Sequence, residues 1–377
     1  MMKRKDEYYN QAFAKHTPTA FIIESPFQLL CAWEAIEEFE IQDFRIVLVL
    51  ERNNIRNEQT ISMLNEKGIE YEVCYNNEIY AFLKQEHPYR YDRVMVGDYD
   101  DLGLLKVCGA YATNNAVVVF MDDGISSIMI LKDHPYKHSK FVRMLTGPTG
   151  MERARKQIFK KWKQIGIINN HYIYSIYSEI KTKKFQVYPN TFSHLAEYKS
   201  KEQKDVVLIV GTVIDDTAAE IGIPTSLFEG LLWDKLVSVK KKYPTERLIY
   251  IPHGRDYNEH IEQLCQCLDI EFIRLKMSIE YYVIKDGLHV LAVYGNTSTA
   301  LSTLRIITSA PVTHWLIPNM YGEAWRLTKL YTKYYEQMGI QTDEWWMPQI
   351  SFWEYVKRTV AKYLFRKKHE NITADIV

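Results

Sequence analysis

Short, unbroken runs of branched aliphatic residues, each followed by a turn and then by helical spacing, recur along this chain and leave it few folds. The runs at 20–23, 45–50, 71–74, 92–97 and 116–120 are too uniformly apolar for a sheet with one wet face. They suit strands buried on both sides, and helix-like segments between several of them, 58–67 for example, supply the crossovers that parallel strands need. The pattern resumes at 206–212 and returns at 248–251, 271–274 and 289–294. A chain of 377 residues exceeds the roughly 250–300 at which a single core stops growing. The expectation is therefore α/β, with one domain over 17–190, a second over 200–340, and a tail over 341–377. The break falls after 187–191, where polar residues 197–204 follow.

Composition narrows the function more by exclusion than by suggestion. Forty-seven basic residues balance forty-seven acidic ones, so charge gives no reason to expect a nucleic-acid partner. The chain has 27 tyrosines and 8 tryptophans, which suit sugar rings or interfaces and equally suit a large core. Its five cysteines, Cys31, Cys74, Cys108, Cys265 and Cys267, are scattered and read as thiols of a reduced compartment. Cys265 and Cys267 lack a second Cys/His pair at zinc spacing, so no metal site is expected. No signal peptide is read at the start, and no run approaches the ~18–20 apolar residues that span a bilayer. A cytoplasmic protein is expected. Neither a G-x-G-x-x-G fingerprint nor a P-loop occurs.

In open α/β sheets ligands collect beyond the carboxyl ends of the strands, so the residues just after each apolar run carry the functional information. After the first run, Ser25 is a plausible N-cap, Pro26 fits the first helical position, and Gln28 completes a capping box. The same turn, from Glu24 onward, exposes backbone N–H groups that could hold an anion. The fifth run ends in Met121, Asp122, Asp123 and Gly124. Either carboxylate could take a proton from a sugar hydroxyl, or the pair could simply cap a turn.

Further along, Gly211 and Thr212 end a strand, and Asp215 and Asp216 open what reads as a loop containing Gly222 and Pro224. Leu248 to Ile251 lead into Pro252, His253, Gly254 and Arg255, where the imidazole and guanidinium suit an anionic ligand and His253 could equally cap the strand. Finally Gly295, Asn296, Thr297, Ser298, Thr299 and Ala300 form a hydroxyl-rich turn before a helix. It could hold a phosphate through hydroxyls and backbone N–H groups, or serve as an ordinary helix cap.

Two basic stretches remain. Residues 128–186 read as mostly helical, with a basic cluster at 153–163 that is either a solvated face or a surface near an anionic acceptor. Residues 351–368 place Phe352, Tyr355, Val356, Thr359, Tyr363 and Leu364 roughly along one face among lysines and arginines. Such a helix either lies at an anionic membrane interface or packs back onto the first domain.

These motifs, in this order between about residues 19 and 305, resemble the bacterial sialyltransferases of glycosyltransferase family 52, which act on lipooligosaccharide and capsule. The acidic-acidic-glycine motif is matched by Asp122, Asp123 and Gly124, and the strand–glycine–aspartate segment loosely by 207–215. His253 and Gly254 stand where the family has His-Pro, and Ser298 to Ala300 match its paired hydroxyls. The proline is absent here, though the basic Arg255 follows. The resemblance implies GT-B architecture: two doubly wound parallel-sheet domains facing across a cleft. It implies an inverting, metal-independent transfer of sialic acid from CMP-sialic acid to a sugar hydroxyl. Asp215 is then the general base with Asp123 as rival, and His253 protonates or hydrogen-bonds the departing phosphate. Gly211, Thr212, Gly254, Arg255, Asn296, Ser298 and Thr299 would hold the donor, while Glu24, Ser25 and Gln28 face the acceptor. The implied partners are a nucleotide sugar and a glycan or glycolipid, with no cofactor. Peripheral contact with the inner membrane through the tail and a homodimer are left open. Another nucleotide sugar such as CMP-Kdo, or a catalytically inactive glycan- or nucleotide-binding protein, stands as the alternative.

Overall fold

In a computed structural model, which describes residues 8–51, 55–87, 89–132, 150–197, 204–317 and 322–344, the apolar runs form two separate sheets. The first contains β1 (Thr19–Ile23), β2 (Phe44–Leu50), β3 (Tyr71–Tyr75), β4 (Tyr91–Val96), β5 (Ala112–Met121), β6 (Ile168–Ser175) and β7 (Gln186–Pro189). Its order is β3-β2-β1-β4-β5-β6-β7, and every pairing is parallel. The second contains β8 (Lys204–Val210), β9 (Arg247–Ile251), β10 (Glu271–Phe272), β11 (Leu288–Gly295), β12 (Val312–Leu316) and β13 (Gln341–Glu344), in the order β10-β9-β8-β11-β12-β13. Both are doubly wound. The direction of winding reverses between β1 and β4 in one sheet and between β8 and β11 in the other. Such a reversal opens a crevice at the carboxyl ends of the two strands that flank it.

Uniformly apolar strands are buried along nearly their whole length because helices cover both faces. Every residue of β1 is buried, as are the last five of β2 and of β8. Among the described residues, the first compact unit comprises those up to Lys204 together with Arg274–His289 and Thr303–Ser309; the remainder form the second. The segment Arg274–His289 follows β10 in sequence yet belongs to the first unit. Its helix Ile279–Lys285 packs Tyr281 edge-on to Trp33 at 5.3 Å, and Lys285 bonds Glu66 at 2.8 Å.

Several elements differ from the sequence expectation. Residues 128–186, expected to be mostly helical, do carry the helix Gly150–Gln164 but also contain β6, and β7 begins at their end. β6 opens with the polar Asn169, Asn170 and His171, and β7 has four residues ending in proline, so neither shows the apolar run that marks the others. β13, Gln341–Glu344, contains no apolar residue at all. Asp215 and Asp216 do not lie in a loop; they form the first turn of the helix Ile214–Ile221, and Gly222 closes it in the left-handed conformation at φ 75°. Acidic side chains at a helix start and glycine after its end are the usual stop and start chemistry, read here as loop residues. The aromatic and basic helix expected within 351–368 lies outside the described residues.

One buried charge ties the amino-terminal segment to the first sheet. Arg93, fully buried in β4, donates to the Thr19 hydroxyl at 2.9 Å and to the carbonyls of Ala12 and Ala14 at 3.2 and 2.9 Å, and lies over the Phe39 ring at 5.0 Å. Burial pulls its pKa down to about 10. The guanidinium fork satisfies several buried acceptors that no other side chain reaches at once. Arg93→Ala is expected to cost about 3 kcal/mol in denaturant-induced unfolding, because those acceptors lose a charged donor; a loss below about 1 kcal/mol would remove Arg93 as the anchor of this segment.

Candidate active site

At the first sheet's reversal, the turn after β1 and the turn after β5 are joined by one side chain. Ser25 caps the helix Pro26–Glu38, its hydroxyl accepting from Gln28 N at 3.3 Å, and Pro26 occupies the first turn. Gln28 does not close the reciprocal capping box. Its Oε1 accepts from Glu24 N at 2.8 Å, one residue before the cap, and its Nε2 donates to Asp123 Oδ1 at 2.8 Å. The backbone amides of Glu24 and Gln28, expected to be open to an anion, are therefore engaged by side chains.

Asp122 and Asp123 are neighbours with different surroundings. Asp122 is fully buried, accepting from the Ser175 hydroxyl at 2.7 Å and from Ile176 N at 2.6 Å, so it fastens the end of β5 to the end of β6. Burial pushes its pKa up to about 7 against those hydrogen bonds. Asp123 is half-buried and carries the Gln28 contact, with Ser126 Oγ 3.1 Å from Oδ2. A third carboxyl, missed in the sequence, stands at the end of β4. Asp98 is pushed up to about 8 by burial and then by the charges of Asp123 and Asp101, with Arg155 opposing. Arg155 itself pairs with Asp100 and lies 4.5 Å over the Tyr99 ring. Asp98 follows Gly97 directly, and an acidic residue just after a strand-ending glycine was the available signal.

In the second unit, His253 follows β9 and Ser298 follows β11, flanking β8 at the same edge of the sheet. The edge is crowded. A Cβ on Gly211 would meet the Tyr250 hydroxyl at 2.6 Å and Pro252 Cα at 3.0 Å, and one on Gly295 would meet the Val210 carbonyl at 2.6 Å. Glycine is required at both. After Pro252 the chain turns tightly, with Asp256 N donating to the His253 carbonyl at 2.8 Å. Asp256, buried and unforeseen, accepts from Ile214 N at 3.4 Å and so links this turn to the helix carrying Asp215.

His253 Nδ1 accepts from Arg255 N at 3.2 Å. With Nδ1 accepting, the ring proton is assigned to Nε2. Gly254 and Arg255 are exposed. Asp215 is also exposed, in its helix's first turn, and accepts from the Thr225 hydroxyl at 2.7 Å.

The turn after β11 is held from below. Asn296 donates to the Trp315 carbonyl at 3.1 Å, and the Thr297 hydroxyl meets His314 Nε2 at 2.9 Å. Burial pulls His314 down to about 4, keeping it neutral. Tyr335, fully buried and edge-on to His314 at 5.0 Å, accepts from Ser298 N at 3.1 Å and donates to Ser298 O at 2.7 Å. Ser298 Oγ in turn accepts from Ala300 N at 3.3 Å, the capping contact. Two of the amides expected to face a phosphate are thus already used. Thr299 begins the helix Thr299–Thr308 and is half-exposed. Beside this turn an open cavity of about 480 Å³ is lined by Thr212, Thr217, Asn296, Thr297, Trp315 and Tyr331, among others. Thr212 and Thr217 share a hydroxyl–hydroxyl contact of 3.0 Å at its wall. Among the described residues, no group of three or more His, Cys, Asp or Glu side chains is placed to hold a metal ion, and no helix is long and apolar enough to cross a membrane.

No described protein family and no curated protein sequence matches the chain. Solved structures do. A 2,6-sialyltransferase from Photobacterium sp. JT-ISH-224, in a ternary complex with CMP and lactose, superposes with a TM-score of 0.50 at 14% identity, covering 87% of this chain and 78% of that one. A sialyltransferase from Photobacterium damselae gives 0.46 at 12% identity, over 87% of this chain and all of its GT-B domain. A putative UDP-N-acetylglucosamine 2-epimerase from Listeria monocytogenes gives 0.46 at 12%, over 80% and 79%. The first of these likenesses establishes the fold, a GT-B arrangement of two parallel-sheet α/β domains.

The raised carboxyls make stability depend on pH. Asp98 and Asp122 keep protons in the folded chain that an unfolded Asp releases near pH 4. Their contribution is complete below about pH 4 and is lost as pH rises through about 7 to 8, because the native state then binds more protons than the unfolded one. Asp98→Asn is expected to flatten the fall in melting temperature between pH 5 and pH 8; an unchanged slope would contradict the placement of Asp98.

Proposed function

We propose that the chain is an inverting glycosyltransferase of the family 52 kind, moving sialic acid from CMP-sialic acid to a sugar hydroxyl of a bacterial lipooligosaccharide or capsule without a metal. The observation that supports this reading is the chemistry at the strand ends of each unit taken by itself: an oriented carboxylate, Asp123, after β5 of the first, and an imidazole, His253, near a hydroxyl-rich turn at the carboxyl edge of the second.

Asp123 is favoured over Asp215 as base. Each carboxylate accepts from neighbouring side chains, Asp123 from Gln28 and Ser126 and Asp215 from Thr225, but Asp123 is half-buried at the crevice of the sheet whereas Asp215 is exposed. In the reaction, Asp123 takes the proton of the acceptor hydroxyl as its oxygen attacks the anomeric carbon of the donor. The bond from that carbon to the phosphate oxygen breaks, and CMP leaves. A phosphate monoester has a second pKa near ~6 and departs well as the dianion, so it needs charge stabilisation more than full protonation. The Nε2–H of His253 supplies that, with the exposed Arg255 as a further donor. Asp122 acts by holding the end of β5 in place rather than by touching substrate.

Gly254, standing where the resembled family has proline, is the reason to test CMP-Kdo alongside CMP-sialic acid. The full chain, incubated with CMP-sialic acid and a galactoside, is expected to form a sialoside at equal rate with and without chelator. Transfer only from CMP-Kdo would move the reading to that donor; saturable CMP binding with neither transfer nor hydrolysis would identify a binding protein. His253→Ala is expected to lower kcat by about 10²-fold or more with an unchanged melting temperature; near-normal turnover would take His253 out of the mechanism.

A further inference from the structure

Gln28 lies fully buried where the turns after β1, β4 and β5 meet. Each end of its amide has a partner of fixed character. Oε1 faces the Glu24 N–H, which can only donate, and Nε2 faces an Asp123 carboxylate oxygen, which accepts. The amide therefore has one orientation, and a flipped one would set oxygen against carboxylate and N–H against N–H. Space for it comes from Gly97, where a Cβ would stand 1.9 Å from Gln28 Oε1 and 2.3 Å from Cδ. A helix cap needs neither the contact with Asp123 nor this cleared space.

We infer that Gln28 is a positioning residue for the base. Its side-chain amide, locked between the turn after β1 and the turn after β5, holds Asp123 through Oδ1 while Ser126 Oγ stands 3.1 Å from Oδ2, and so sets the direction in which the carboxylate meets a substrate hydroxyl. The inference rests on Asp123 being the base of the proposed transfer. It adds a role for Gly97, which is required as the floor beneath the amide.

Among the described residues, the charge of Asp123 acts on Asp98 after β4, on Asp122 beside it and on Cys31 of the helix Pro26–Glu38, while Asp101 and Arg155, the latter from the helix Gly150–Gln164, act on Asp98. Replacing Gln28 or Gly97 leaves all of them in the chain.

The test is kcat and the acceptor KM of the full chain carrying Gln28→Met, Gly97→Ala or Asp123→Asn, with melting temperatures measured alongside. Gln28→Met is expected to lower kcat about tenfold and to leave the acceptor KM within about threefold. Gly97→Ala, which displaces the amide without altering it chemically, is expected to lower kcat with the same small change in KM. The inference is overturned if Asp123→Asn abolishes transfer while the other two variants keep the wild-type kcat, whether or not they melt earlier; the base assignment would then survive without it. Full activity in Asp123→Asn, or no transfer by the wild type, would instead overturn the base assignment and this inference together.

Discussion

Glycines at the strand ends clear the space in which groups at the two reversals meet: a Cβ on Gly97 would strike the Gln28 side chain, and one on Gly211 or Gly295 the neighbouring strand or turn. Gly97 lets Gln28 cross from β1 to Asp123, Gly211 lets the end of β8 lie under Tyr250 and Pro252, and Gly295 lets β11 reach the Val210 carbonyl. Since none of the three has a positive φ, their value lies in the missing side chain rather than in an unusual backbone angle. Parallel strands place their carboxyl ends at one edge, and the reversal opens a crevice there. Glycine then lets polar groups from neighbouring turns meet across it.

Much of this was legible in the residues. The continuous runs at 45–50 and 206–212 could only be strands covered on both faces, and Ser25 with Pro26 marked the start of the helix after β1 to the residue. The positions of Asp123, His253 and Ser298 just beyond strands followed from the same runs. What could not be read depends on long-range contact. Asp98 gains its character from burial beside Asp123 and Asp101, Tyr335 from reaching back to Ser298, and Asp256 from meeting Ile214. β6 and β13 carry too few apolar residues to be recognised locally; neighbouring strands impose their pairing.

The structure also sorts residues that the sequence left equivalent. Asp122 and Asp123 are adjacent carboxylates, yet one is enclosed and spent on Ser175 and Ile176 while the other stays half-buried and steered by Gln28. Ser298 and Thr299 are adjacent hydroxyls; Ser298 Oγ makes the capping contact with Ala300 N while Tyr335 holds its backbone, and Thr299 opens the helix and is half-exposed. In His253, Arg255 N occupies Nδ1 and leaves Nε2 as the donor nitrogen. Each distinction comes from hydrogen-bond accounting: a donor or acceptor already satisfied in the fold has less to give a substrate.

The central claim is that the carboxyl edge of the second sheet holds the nucleotide, and amide hydrogen exchange on the full chain at saturating CMP tests it directly. Exchange should slow at 211–217, 253–258 and 296–300, the turns after β8, β9 and β11, and stay unchanged at 12–17, the segment held by Arg93. Unaltered exchange in all three turns, or protection confined to other parts of the chain, would contradict the account.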